Sequence, residues 1–213
     1  MTIEATREDQ KKESPPYWIE NPEDFARNMM ALYDEAGRTM ALYMERSNGN
    51  GPYAAATEAA ETAKLLSSVA QQWMGDPVRL MQAQTELMQG YAQLWNATMQ
   101  KMSGNDAEPV AKPQAGDSRF KDPEWSENPY FDFWKQAYLI TSQWAEQKLD
   151  ATDGLDQRTK AKAEFYLRQM LSAVSPSNFP ATNPEVMREI FATNAANLVQ
   201  GMKHLREDLA KSS

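Results

Sequence analysis

The sequence predicts an all-α protein. Apolar residues recur at three- and four-residue steps through several long stretches, and the pairs Asn21-Pro22, Asp76-Pro77, Asn128-Pro129 and Asn183-Pro184 each place a capping side chain before a proline suited to the first helical turn. No segment alternates apolar and polar residues as a half-buried strand does.

Residues 1–16, MTIEATREDQKKESPP, are charged and aperiodic and are expected to form a disordered tail. The first helix opens at Asn21 and Pro22, with Glu23 and Asp24 facing its positive end, and carries Phe25, Met29, Leu32, Tyr33, Ala36, Met40 and Tyr43 as its apolar stripe until Gly49 and Gly51 stop it. An Ala-rich helix from about Tyr53 to Met74 bears Leu66, Val69 and Trp73 before Gly75. Asp76 and Pro77 restart the pattern, and Met81, Gln84, Leu87, Met88, Tyr91, Leu94, Trp95, Thr98 and Met102 form a further stripe. Residues 17–102 thus read as a variable helical segment, followed by a flexible linker at 103–118, where Gly104, Pro109, Pro113 and Gly116 break the period.

A second helical unit is expected over 119–213. Its first helix follows Asn128 and Pro129 with Tyr130, Phe133, Trp134, Ala137, Tyr138, Thr141 and Trp144 at helical spacing. Asp156 caps the next, with Phe165, Met170, Leu171 and Val174 on its buried side. After the Pro-punctuated turn SPSNFPATNPEV, one last helix is expected from Pro184, with Met187, Ile190, Phe191, Leu198, Met202, Leu205 and Leu209 in register.

Composition narrows the function classes. Hydrophobic residues make up 41% of the 213 and no run approaches the ~18 needed to span a bilayer, so a soluble chain without a membrane span is expected. Without a basic start and apolar core at the N-terminus, a cytoplasmic location is expected. A net charge of −8 argues against nucleic acid as partner. The lack of cysteine removes disulfides, thiolate metal sites and a cysteine nucleophile from these residues. His204 is the only histidine and no G-x-S-x-G elbow accompanies it, so no catalytic, cofactor-binding or metal residue is assigned and no cofactor is expected. The basic run Arg158, Lys160, Lys162 and Arg168 fits the solvated side of a helix better than an anion site. Asn96-Ala97-Thr98 fits a glycosylation pattern inside an expected helix of a non-secreted chain and carries no weight.

The densest aromatic stretch, FKDPEWSENPYFDFWKQAYL at 120–139, is more simply core than ligand site. The abundance of Met, with 13 residues, suits core filling or an adaptable apolar surface.

The blocks DPEW, NPYFDF, KQAYL, SPSNF and TNPEV, in their order across RFKDPEWSENPYFDFWKQAYLITSQW, KAEFYLRQMLSAVSPSNFPATNPEV and NLVQGMKHLREDL, resemble the N-terminal region of class I poly(3-hydroxyalkanoate) synthases over residues 118–210. Residues 17–102 resemble the more variable leading segment of the same enzymes. The resemblance implies a helical region that precedes an α/β-hydrolase-like domain, in which a cysteine of a G-x-C-x-G box, with a histidine and an aspartate, joins hydroxyacyl groups from coenzyme A thioesters into polyester. None of those positions occurs in this chain, which reaches REDLAKSS about where that domain would begin. A non-catalytic role is therefore implied: partnering the catalytic domain, favouring a homodimer, and engaging the polyester granule or its coating proteins. Trp125 and Phe131 are expected to meet the catalytic domain, Phe131 because it lies off the Tyr130/Trp134/Tyr138 stripe. A free-standing phasin-like granule protein is the alternative reading, and a complete small enzyme a remote third.

Overall fold

The structure is a computed structural model that describes residues 17–47 and 51–211; the expected tail at 1–16 and the Asn48–Asn50 part of the first turn lie outside these residues. Every regular element among the described residues is helical: α1 (Pro22–Ser47), α2 (Gly51–Met74), α3 (Pro77–Met102), α4 (Glu124–Glu127), α5 (Pro129–Asp150), α6 (Gln157–Ala173), a 3₁₀ turn (Pro176–Asn178), α7 (Pro184–Ala192) and α8 (Ala196–Lys211). The all-α expectation holds.

The helix starts follow the capping chemistry. Asn21 Oδ1 accepts from the N–H groups of Glu23 and Asp24, both at 3.1 Å. Asp76 Oδ1 accepts from Arg79 N–H at 3.0 Å, Asn128 Oδ1 from Tyr130 N–H at 3.0 Å, and Asp156 Oδ1 from Arg158 and Thr159 N–H at 3.1 and 3.0 Å. Asn183 Oδ1 takes Glu185 N–H at 3.0 Å. Each bond satisfies an N–H that the first helical turn leaves without an intrahelical acceptor.

Two compact units divide the described chain as 17–42 with 188–211, and 43–187, so each unit crosses the segments drawn from the sequence. In the 43–187 unit, α5 is the central helix, packed most extensively on α3 and also on α4, α6 and the 3₁₀ turn, while α2 packs on α3 and α6. Because α5 is surrounded, its buried positions are not one apolar stripe: Phe131 and Leu139 are buried together with Asp132, Lys135, Gln136 and Ser142, while Tyr130 and Trp134 of the expected stripe are exposed. Gly90 of α3 lies directly against Ile140 of α5, and Trp144 Nε1–H donates to the carbonyl of Ala83 at 2.8 Å. Residues 103–118 hold no helix; Ala111 among them is buried and donates its N–H to Gln136 Oε1 at 2.8 Å, and the Lys112 carbonyl accepts from Gln143 Nε2 at 2.9 Å.

The inner faces differ from the expected stripes in a consistent way. On α3 the packed positions are Leu80, Ala83, Leu87, Gly90 and Leu94, and the larger Met81, Met88, Trp95 and Met102 face outward. On α6 the buried residue is Ala163, while Phe165, Met170 and Val174 are exposed. The small Ala83, Gly90 and Ala163 let the helix axes come close, and on α3 leucines fill the positions between them.

In the other unit α1 turns Glu35 and Thr39 inward and leaves Met29, Tyr33 and Met40 of its expected stripe exposed, Tyr33 to 84%. The reason is polar pairing. Arg206 Nε–H of α8 donates to Glu35 Oε1, and Thr39 Oγ–H donates to the Glu35 carbonyl at 2.8 Å. The single last helix expected from Pro184 is instead broken into α7 and α8 without Gly or Pro: Asn194 and Ala195 both have left-handed φ, 48° and 66°. Asn194 is fixed there from α1, its Oδ1 accepting from Asn21 N–H at 3.2 Å and its carbonyl from Asn28 Nδ2–H at 2.9 Å. Phe191 stacks on Phe25 with ring centroids 6.5 Å apart and meets Tyr17 edge-on at 6.0 Å.

Candidate functional site

The aromatic segment at 120–139 is built around the short α4 and the start of α5. Trp125 and Phe131, the two residues expected to meet a partner, are 2% and 1% exposed, and this corrects the expectation. Phe120 meets Trp125 edge-on at 5.0 Å, Trp125 meets Phe131 at 6.1 Å, and Phe131 meets Tyr130 at 5.2 Å. Falling off the main stripe placed Phe131 inward because α4 and the preceding loop cover that side of α5. Aromatic surface does reach solvent at Tyr130 and Trp134; the Tyr130 hydroxyl donates to the carbonyl of Ala181 at 3.0 Å.

Beneath the aromatics lies a buried polar cluster that sequence reasoning missed. Lys101 Nζ donates to Asp132 Oδ2 at 2.6 Å and to the Ser126 carbonyl at 3.1 Å. Lys135 Nζ lies 3.0 Å from Asp132 Oδ1 and donates to Ser126 Oγ at 3.0 Å. Two ammonium groups thus share one carboxylate in a site where each is hydrogen-bonded, which joins α3, α4 and α5. The available signal was the spacing of Asp132, Lys135 and Gln136, three and four residues apart on one side of a helix otherwise dominated by rings.

Arg119 closes the segment from the linker side. Its Nη1–H donates to the Tyr138 hydroxyl at 2.8 Å, its Nε and Nη2 donate to Asp117 at 3.0 and 2.8 Å, and its guanidinium lies 5.4 and 5.2 Å from the Phe120 and Tyr138 ring centroids. The hydrogen bonds from Arg119 hold the Asp117 carboxyl below the usual carboxylate range, and Asp117 in turn raises Arg119 above the usual guanidinium value.

Elsewhere in the same unit a nearly all-apolar cavity of about 310 Å³ lies among Leu66, Val69, Trp73, Leu80, Trp144, Leu149 and Leu167. Both of its indoles turn their N–H away to partners, Trp73 to Thr152 Oγ1 at 2.8 Å and Trp144 to the Ala83 carbonyl. His204 sits exposed on α8 beside Lys203. In the basic run, Lys160 Nζ pairs with Asp150 at 2.8 Å and Lys162 lies over the Tyr166 ring at 5.8 Å. Among the described residues no three His, Cys, Asp or Glu side chains gather as metal ligands, and no helix is long and apolar enough to cross a membrane.

The arrangement is one of packing and pairing: its polar groups are engaged with one another, and its free chemistry is apolar surface. Residues 116–213 match the family model of the poly-beta-hydroxybutyrate polymerase (PhaC) N-terminus. The poly(3-hydroxyalkanoate) polymerase subunit PhaC of Rhizobium meliloti is 41% identical over 200 residues, which cover 93% of this chain and 33% of that protein. The poly(3-hydroxyalkanoate) polymerase of Methylorubrum extorquens is 49% identical over 154 residues, 72% of this chain and 26% of that protein. The subunit PhaC of Cupriavidus necator is 30% identical over 135 residues, 63% of this chain and 22% of that protein. The chain therefore spans about a third or less of the length of the curated relatives it matches. No solved structure matches. Over residues 116–213 the chain is therefore similar to the N-terminus of poly-beta-hydroxybutyrate polymerases.

Proposed function

We propose that this chain is a non-catalytic N-terminal part of a polyhydroxyalkanoate synthase, which works by association with the catalytic part, favours a dimeric enzyme, and accompanies it in the cytoplasm to the polyester granule. The parent reaction would transfer hydroxyacyl groups from coenzyme A thioesters to a growing polyester. The observation that carries this reading is the alignment of 93% of the chain with a third of a polymerase, within a family defined by the polymerase N-terminus. Physical chemistry supports it, since a thiol nucleophile needs a base and oxyanion donors held rigidly around a cysteine, and this sequence supplies no cysteine.

The test is to supply the chain and the catalytic remainder of a relative as separate proteins and follow coenzyme A release from hydroxybutyryl thioester. The expected result is no release by the chain alone, co-purification of the two parts, and faster turnover of the remainder when the chain is added. Release by the chain alone, or a remainder indifferent to its addition, would overturn the reading. The exposed Met29, Met30, Met40 and Met44 of α1 favour a second reading, direct adsorption to the granule as a phasin-like protein. Binding to polyester particles without any synthase present would support it.

A further inference from the structure

Helix α3 has two seams on opposite sides. The inner seam, from Leu80 and Ala83 through Leu87, Gly90, Leu94 and Ala97, is buried or half-buried throughout. The outer seam starts at Val78 and Met81 and repeats every seven residues to Met99 and Met102, and every position in it is exposed, Trp95 to 61%. Steps of three and four residues sustained from 78 to 102 are the a/d pattern of a coiled coil, which specifies a helix as the facing surface. A flat apolar surface would instead favour a broad band of apolar residues on a helix with a strongly charged opposite face. Here the flanking positions are uncharged, Gln82, Gln89 and Asn96 on one side and Gln84, Tyr91 and Thr98 on the other.

The charges of α3 reinforce this. In a chain where 24% of residues are charged, all of the helix's charged side chains turn away from the outer seam into pairs within the unit: Arg79 with Asp153, Glu86 with Lys148, and Lys101 with Asp132. Two chains of net charge −8 repel each other, and this uncharged face is where they could meet without opposed like charges.

We propose that the outer seam of α3 pairs with the same seam of a second copy, antiparallel, about a two-fold axis level with residue 90. In antiparallel pairs an a position faces a d position, and this axis sets Met88 against Ala92, Thr85 against Trp95, Met81 against Met99 and Val78 against Met102 of the other copy. Large side chains then face small ones in the two central layers. A parallel pair would instead stack Trp95 on Trp95 and leave Ala92 facing Ala92, with alternating crowding and voids. Antiparallel helix dipoles also attract. A helix pair of this length buries on the order of 1,000 Å², the lower end for a specific interface, so the dimer should be reversible and concentration-dependent. The inference deepens the dimer element of the reading above, and its test uses this chain alone, so either can fail without the other.

Sedimentation velocity of the whole chain from about 5 to 500 μM should show a monomer giving way to a dimer. Met88→Glu and Trp95→Glu, both outward-facing, should move the midpoint at least tenfold upward with helix content unchanged by circular dichroism. Because the chain has no native cysteine, mixing Met88→Cys with Ala92→Cys under oxidation reports orientation directly. Enrichment of the mixed disulfide is expected. A chain that stays monomeric throughout, a dimer indifferent to both glutamates, disulfides mainly between two Met88→Cys chains, or binding of polyester particles through this seam by a monomer would each overturn the proposal.

Discussion

Gly90 of α3 and Ile140 of α5 meet so closely that a Cβ built on Gly90 would stand 2.9 Å from Ile140 Cγ2. Glycine inside a helix costs about 1 kcal/mol relative to alanine, so Gly90→Ala would stabilise an isolated α3. The branched Ile140 side chain is stiff, and overpacking costs about 1–3 kcal/mol. Gly90→Ala is therefore expected to lower stability by up to about 2 kcal/mol. Urea unfolding of the single variant and of Gly90→Ala with Ile140→Ala checks this, the double variant showing a favourable coupling if the contact is the cause.

Trp125→Ala and Phe131→Ala each remove a ring from a closed aromatic cluster. A loss of about 3–5 kcal/mol is expected for each, with the two losses non-additive because the rings touch. Denaturant midpoints and near-ultraviolet circular dichroism read the effect. Variants at exposed Trp134 should leave stability within about 1 kcal/mol of the parent.

The Asp132 carboxylate stands between the ammonium groups of Lys101 and Lys135. Asp132→Ala leaves two buried cations facing each other, and a cost of about 3–5 kcal/mol is expected. Adding Lys135→Met should recover a large part of it, because one of the stranded charges is removed. Thermal unfolding of the single and double variants decides the point.

Asn194 holds a left-handed conformation and accepts two hydrogen bonds from α1, one through its side chain and one through its backbone. Asn194→Ala loses the side-chain acceptor and puts a poorly tolerated residue at φ 48°, at an expected cost of about 1–2 kcal/mol. Asn194→Gly loses the same acceptor without the steric penalty. It should fall between the parent and the alanine variant in chemical denaturation.

Asp117 has a carboxyl lowered chiefly by hydrogen bonds from Arg119. A lowered carboxyl stabilises the fold fully above its unfolded value near pH 4, and that contribution is lost as pH falls through the lower folded value. Asp117→Asn is expected to be less stable than the parent at neutral pH and to converge on it as pH falls below about 4. Unfolding curves across that range measure the convergence.

The caps were legible in the sequence because Asn or Asp before Pro states a local geometry, and Asn21, Asp76, Asn128 and Asn183 all perform it, while Asp156 caps α6 without a following proline. The buried faces were less legible. Stripes chosen by hydrophobicity put Tyr33, Met88, Trp95 and Phe165 inside, whereas close helix contacts took Ala83, Gly90 and Ala163, and ion pairing took Glu35 and Asp132. A hydrophobic period marks both a buried face and an unpartnered one, and only the neighbouring helix distinguishes them. The break between α7 and α8 was invisible for a related reason: Asn194 is held by hydrogen bonds from residues more than 160 positions away.

The unit made of residues 17–42 and 188–211 draws its halves from distant parts of the chain, 146 positions separating Leu42 from Arg188. At a ribosomal rate of roughly 5–20 residues per second, α1 emerges roughly 7–30 s before its partner helix exists. The 43–187 unit has its whole sequence earlier and closes its own contacts first. During that interval Glu35 waits without Arg206 and Phe25 without Phe191, so α1 with its methionine- and tyrosine-bearing surface is the part of the nascent chain most open to chaperones and to premature association.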